Sequence, residues 1–235
     1  MEFQKARIVM VLGLAAVPAM AQQALRYEVR HEHLRKGCSG TLAIDDRGVS
    51  FRGVESKKGR TPHAWTWRYP DIQQLTIASG EIRVLTYKDN AWKLGADREY
   101  RFKAAAGGQF GDAYEVLEGR LDQRLVSELA DAGVKPLWQI PVKLLGTFRG
   151  SEGRLIVGDD RIVFRSDQNG QSRTWRYVDI DNISNSGPFQ LTVTTFERSR
   201  SNYGSRKGFN FQLKERLEEE SYNDLWRRLN RRKTE

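Results

Sequence analysis

The chain has 235 residues, 39 Lys and Arg against 30 Asp and Glu, a net charge of +9, one Cys and 39% hydrophobic residues. This hydrophobic content excludes a disordered chain, one cysteine excludes a disulfide scaffold or Cys-rich zinc cluster, and no apolar run reaches the ~20 residues of a spanning helix. The basic excess raises a nucleic-acid reading, but acids are interspersed among the bases almost throughout.

Lys5 and Arg7 precede the apolar run Ile8 to Val17, followed by Pro18 and Ala19-Met20-Ala21. A basic start, an apolar stretch of ten residues and small residues at the cleavage positions predict a signal peptide over residues 1–21. The product is expected to be periplasmic or secreted, with no transmembrane segment, and export argues against nucleic acid as the partner. Removing Glu2, Lys5 and Arg7 leaves the positive excess almost unchanged.

Next, Tyr27, Val29, His31 and His33 alternate with charged residues, the period of a strand with one apolar face. All three histidines and the cysteine fall in this region, at His31, His33, Cys38 and His63. A His-x-His strand pair completed by Cys38 or His63 has the donor set for zinc or copper. Half-buried, hydrogen-bonded rings and a small core thiol are the competing reading. The spacing matches no established zinc pattern.

Leu42 and Ile44, the turn Asp45-Asp46-Arg47-Gly48, and Val49-Ser50-Phe51 predict a hairpin. A loop rich in Gly, Lys and Ser follows and carries Lys57, Lys58 and Arg60. Trp65, Trp67 and Tyr69 alternate as a strand does, and Ile82 to Tyr87 is a further strand. Tyr114, Leu117, Leu121, Leu125 and Leu129 recur at three and four residues, the spacing of an amphipathic helix stopped by Gly133 and Pro136. Lys135 to Pro141 then reads as a short linker around Trp138.

The second half repeats the first. Gly153-Arg154-Leu155-Ile156-Val157 matches Gly40 to Ile44, and Ile162-Val163-Phe164 matches Val49 to Phe51, at an offset of 113 residues. Thr174-Trp175-Arg176-Tyr177-Val178-Asp179-Ile180 matches Thr66 to Ile72, and Tyr222, Leu225 and Leu229 match Tyr114, Leu117 and Leu121, at 108. A change of loop length between Phe51 and Trp65 absorbs the difference. A duplicated unit of ordinary domain size accounts for both copies, with domains over residues 24–134 and 143–235 and a linker over 135–142.

Short antiparallel strands, a Trp-x-Tyr-x-Asp-Ile strand end and a closing helix with Trp226 resemble the pleckstrin-homology-like (PH-like) superfold and its GRAM-type relatives. The resemblance implies a mainly β fold of two tandem PH-like domains, each a bent sheet or barrel closed by an amphipathic helix. It also implies ligand or protein binding rather than catalysis. The acidic turns at Asp45-Asp46 and Asp159-Asp160 occupy the places where phosphoinositide-binding members grip phosphate. No nucleophile elbow, metalloprotease helix or phosphate loop occurs, so a hydrolase is the lesser expectation and no cofactor is expected. The expected function is an exported, non-catalytic binding or scaffolding protein that meets another protein or an anionic envelope surface. Its expected contact residues are Lys57, Lys58, Arg60, Arg198, Arg200, Arg206 and Lys207, on the two loops that differ between copies. The alternative is a zinc or copper protein using His31, His33, Cys38 and His63.

Overall fold

The structure, a computed structural model, describes residues 24–32, 37–54, 61–146, 149–168, 170–199 and 204–231. The expected signal peptide lies outside them. The chain is mainly β, with 15 strands among the described residues hydrogen-bonded into one open sheet and a helix at its C-terminal end.

The first half contributes seven strands: β1 (Leu25–His31), β2 (Cys38–Ile44), β3 (Gly48–Gly53), β4 (Ala64–Arg68), β5 (Ile72–Ala78), β6 (Glu81–Asp89) and β7 (Asp97–Ala104). Helix α1 (Gly111–Glu118) and strand β8 (Leu125–Glu128) follow. The second half contributes β9 (Trp138–Leu144), β10 (Ser151–Val157), β11 (Arg161–Ser166), β12 (Arg173–Arg176), β13 (Ile180–Ser184), β14 (Gln190–Arg198), β15 (Arg206–Leu213) and helix α2 (Glu219–Arg231). The spatial order is β5-β6-β7-β1-β2-β3-β4 in the first half and β13-β14-β15-β9-β10-β11-β12 in the second, which is the same order. Strand β8 joins them, parallel to β5 and antiparallel to β12.

The alternation read in the sequence sets which residues are inside. Leu42, Ile44, Phe51, Trp67 and Phe102 lie in one hydrophobic cluster, and Leu155, Val157, Phe164, Trp175 and Phe211 in another. The two clusters use matched positions. Tyr69 donates to the Asp45 carbonyl at 2.6 Å, and Tyr177 to the Gly158 carbonyl at 2.7 Å, so the same hydroxyl latch ties strand end to hairpin turn in each half. Burial, the dominant influence, pushes the Tyr69 phenol up to about 12, and it stays a donor at physiological pH.

Three expectations are corrected. The helix expected from Tyr114 to Leu129 stops at Glu118, and Leu125 to Glu128 is a strand. Parallel pairing of Leu75, Thr76 and Ile77 with Leu125, Val126 and Ser127 satisfies those backbone groups and overrides the three-and-four spacing. The expected linker is mostly strand, since Trp138 to Leu144 pairs with both β10 and β15. The hydrogen bonding also makes one unclosed sheet, without two separate closures.

Gly40 and Gly153 are matched positions with a shared packing reason. A Cβ on Gly40 would collide with the Arg52 carbonyl of the facing strand, and one on Gly153 with the Arg165 carbonyl. Gly153→Ala is therefore expected to destabilise the protein by roughly 1–3 kcal/mol through overpacking. Gly119→Ala, where a Cβ meets nothing within 4 Å, is the control and should leave thermal unfolding unchanged.

Candidate functional site

The junction of the halves is polar and strongly bonded. Arg161 donates to Asp131 at 2.7 Å and Arg173 pairs with Glu128 at 3.1 Å, while Glu128 also pairs with Arg83 at 2.7 Å. Arg176 donates to the Glu118 and Leu121 carbonyls at the end of α1. Its Asp179 partner, at 2.7 and 2.8 Å, shares its burial. Arginines of the second half thus clasp carboxylates and helix-end carbonyls of the first. This gives the junction a defined geometry, because each guanidinium fork fixes direction as well as distance.

A separate cleft of about 410 Å³ has Gln73, Gln74, Arg124, Phe196, Arg198 and Arg206 in its wall. Local irregularities aim these side chains. The register of β5 on β6 shifts between Ile72 and Gln74, and that of β14 on β15 between Thr195 and Arg198. Such bulges re-aim side chains relative to the regular pleat.

The three arginines are held differently. Arg124 donates to the Tyr69 and Ile72 carbonyls at 3.0 and 3.2 Å. Arg198 pairs with Asp97 at 2.6 Å, and its backbone N–H donates to the Gln74 side-chain oxygen at 3.1 Å. Arg206 stacks on Phe196, with the guanidinium carbon 4.2 Å from the ring centroid. Its carboxylate neighbour Asp181 stands 3.7 Å away and about half of the Arg206 side chain is exposed. Among the described residues no carboxylate lines the cleft. A wall of guanidinium and amide groups with one aromatic face suits an anionic or carbonyl-rich ligand.

The structure places the expected contact residues unevenly. Arg198 and Arg206 line the cleft. Lys207, next along β15, pairs with Glu197 at 2.9 Å and lies over the Phe209 ring, while Glu197 accepts from the Trp175 indole at 3.1 Å. Lys57, Lys58, Arg60 and Arg200 lie outside the described residues. Gln73, Gln74 and Arg124 were not singled out by the sequence reading, because their approach to β14 depends on how the halves pack.

Of the expected metal ligands, His33 lies outside the described residues. His31 is buried, and its Nδ1 donates to the Arg101 carbonyl at 3.0 Å while its ring packs against Trp65 and Phe102. Cys38 faces His31 across the β1–β2 ladder, and its Sγ stands 3.8 Å from His63 Nδ1. Burial pushes the Cys38 thiol up, away from the thiolate that binds metal. Among the described residues no group of three or more His, Cys, Asp or Glu side chains is placed to hold a metal ion.

Trp67 and Trp175 are buried and Trp65 is half-buried, so the aromatic series is largely core packing. Trp226, on α2, is about half exposed.

No family model matches the chain, and no curated protein matches it. Among solved structures, the C-terminal domain of an unknown protein from Leishmania infantum aligns at 15% identity over 42% of this chain and 87% of that one, with a TM-score of 0.33. The Spt16D Pob3N heterodimer structure aligns at 10% identity over 74% of this chain and 84% of that one, with a TM-score of 0.30. At these TM-scores neither likeness carries an argument. No helix among the described residues is long and apolar enough to cross a membrane.

Proposed function

We propose that this is an exported, non-catalytic binding and scaffolding protein of two tandem PH-like domains, whose arginine cleft receives an anionic group of a partner protein or envelope surface. The observation that carries the reading is the convergence of Arg124, Arg198 and Arg206 from both halves on one cleft without a lining carboxylate among the described residues. The repeated strand order, hydroxyl latch and close-approach glycine support the tandem description. The apolar leader over residues 1–21 supports export.

Binding to polyglutamate and to vesicles containing phosphatidylglycerol tests the cleft. The full chain is expected to bind one of these probes, and an Arg124→Gln/Arg206→Glu variant to bind it about tenfold more weakly. Equal binding by the variant, or none by the wild type, would reject the cleft. Two lost phosphate-type contacts also lower the salt dependence, so the variant's affinity should fall less steeply as salt is added.

The approach of Cys38 to His63 favours one second reading, a metal protein nucleated on that pair. Zinc or copper retained by the purified chain and lost in a Cys38→Ser/His63→Ala variant would establish it.

A further inference from the structure

The two halves share a strand order, yet their outer faces differ. In the second half one row of side chains runs across the sheet through Gln139, Ile156, Val163, Thr174 and Ser127, joining β9, β10, β11, β12 and β8. Ile156, Val163, Thr174 and Ser127 are all buried. The chain's own segment 129–137 lies on this side. The Thr174 hydroxyl donates to the Leu129 carbonyl at 2.8 Å and accepts from the Asp131 N–H at 3.0 Å. Further along, Asp131 meets Arg161 of β11, and the Leu137 N–H donates to the Val157 carbonyl of β10. The chain therefore adds β8 to the edge of β12, meets β12 and β11 through Leu129 and Asp131, turns at Ala132–Gly133 and rejoins the sheet beside β10.

The matched row in the first half is Arg26, Ala43, Ser50 and Thr66, across β1, β2, β3 and β4. Its fifth place, held by Ser127 of β8 in the second half, holds no paired strand among the described residues, where β4 ends the sheet. Ile156 and Val163 are replaced by the smaller Ala43 and Ser50, and Thr66, the counterpart of Thr174, is exposed. These four residues line a groove of about 470 Å³ together with Arg52 and with Asp45, whose Oδ1 accepts from the Arg47 and Gly48 backbone N–H groups. Arg26 and Arg52 are exposed and make no ion pair among the described residues. The four strands of the row span three strand spacings, about 14 Å, the length of about four residues of extended chain.

We infer that this groove is a peptide-binding site for an extended acidic segment of a partner protein, seated as residues 125–134 are seated on the second half. The peptide adds to the free edge of β4, its backbone is read by the Thr66 hydroxyl, and its carboxylates meet Arg26 and Arg52. Edge addition supplies main-chain hydrogen bonds, while the small residues of the row leave room for its side chains. The chain's own leading residues 16–24 precede β1 as 129–137 precede β9, but they carry no carboxylate to meet the two arginines. The site is separate from the arginine cleft and does not depend on its function.

The molecule supplies its own probe. A synthetic peptide with the sequence of residues 125–134, Leu-Val-Ser-Glu-Leu-Ala-Asp-Ala-Gly-Val, carries two carboxylates. Titrated into the full chain, it is expected to bind saturably. Affinity should fall about tenfold in Thr66→Val and in Arg52→Glu, and stay unchanged in Arg206→Glu, which alters only the cleft. The same peptide with Gln and Asn in place of its two acids should also bind about tenfold more weakly. Absence of saturable binding to the wild type, or equal affinity for Thr66→Val, overturns the site. Equal affinity of the neutral peptide overturns the acidic class of partner. All three substitutions are at exposed positions, so matched thermal unfolding shows that each variant is folded.

Discussion

Arg176→Ala is expected to cost about 3–5 kcal/mol, the range for removing one partner of a buried pair, and to lower the melting temperature by roughly 6–20 °C. Three losses coincide: the Asp179 carboxylate is left buried without its partner, and the Glu118 and Leu121 carbonyls lose their donor. The matched pair Arg68–Asp71 in the first half has the same spacing but stands in solvent. Arg68→Ala should leave the melting temperature unchanged. Thermal unfolding of the two variants side by side checks both statements, and equal effects would refute the assignment of Arg176 to the junction.

The same pair sets a pH dependence. Burial lifts the Asp179 carboxyl above its usual range, against the opposing pull of the Arg176 guanidinium. A carboxyl raised on folding contributes stability that is full below its unfolded pKa and lost as pH rises through its folded pKa. Removing Arg176 removes the opposing pull and raises that folded pKa further. The deficit of Arg176→Ala should therefore be smallest in acid and grow as pH rises through the folded pKa of Asp179. Unfolding followed from acid to neutral pH reads this directly, and a deficit that shrinks with pH would reverse the argument.

Trp175→Ala is expected to cost a similar 3–5 kcal/mol by emptying the centre of the second cluster. The indole is 2% exposed, packs against Phe209 with ring centroids 4.7 Å apart and donates to Glu197, a carboxylate that is itself 6% exposed. Trp175→Phe separates the two contributions. It keeps most of the ring volume and removes the donor, and should cost roughly 1–3 kcal/mol, the range for a buried acceptor losing its partner. Denaturant unfolding of both variants would show whether the phenylalanine recovers at least half of the loss. If it recovers none, the hydrogen bond outweighs the packing.

Much of this architecture is written locally. The turns at Asp45 to Gly48 and Gly158 to Asp160 join hairpins where the Asp and Gly residues predict them. The period-two runs around Leu42, Phe51, Leu155 and Phe164 place the buried faces correctly. Residues 121–129 are the counter-example. Their leucine spacing reads as helix, but the edges of β5 and β12 present unpaired backbone groups, and a strand there satisfies them. A spacing rule counts side chains and has no access to a partner edge about 50 residues away in the chain.

The candidate sites divide in the same way. Arg198 and Arg206 were visible as a basic segment, because charge is a property of the residue. Their convergence with Gln73, Gln74 and Arg124 depends on contacts that span more than a hundred residues, such as Arg198 with Gln74 and Asp97. Lys207 sits beside Arg206 in sequence yet pairs inward with Glu197, since successive strand residues face opposite sides. The His and Cys cluster also needed the fold. Strand pairing sets Cys38 opposite His31 and brings His63 to the thiol, while the Arg101 carbonyl takes the Nδ1 hydrogen of His31.

By itself the sequence determined the hairpins and the identity of the buried aromatics, because periodicity and turn chemistry act over a few residues. Only the tertiary structure decided that the Arg176–Asp179 pair is buried against the end of α1 while its twin, Arg68–Asp71, stays in solvent. It likewise decided that β8 covers the edge of β12 while β4 ends the sheet among the described residues. The physical reason is position along the chain: two near-identical motifs meet different neighbours, and burial, pairing and charge compensation belong to the neighbours as much as to the motif.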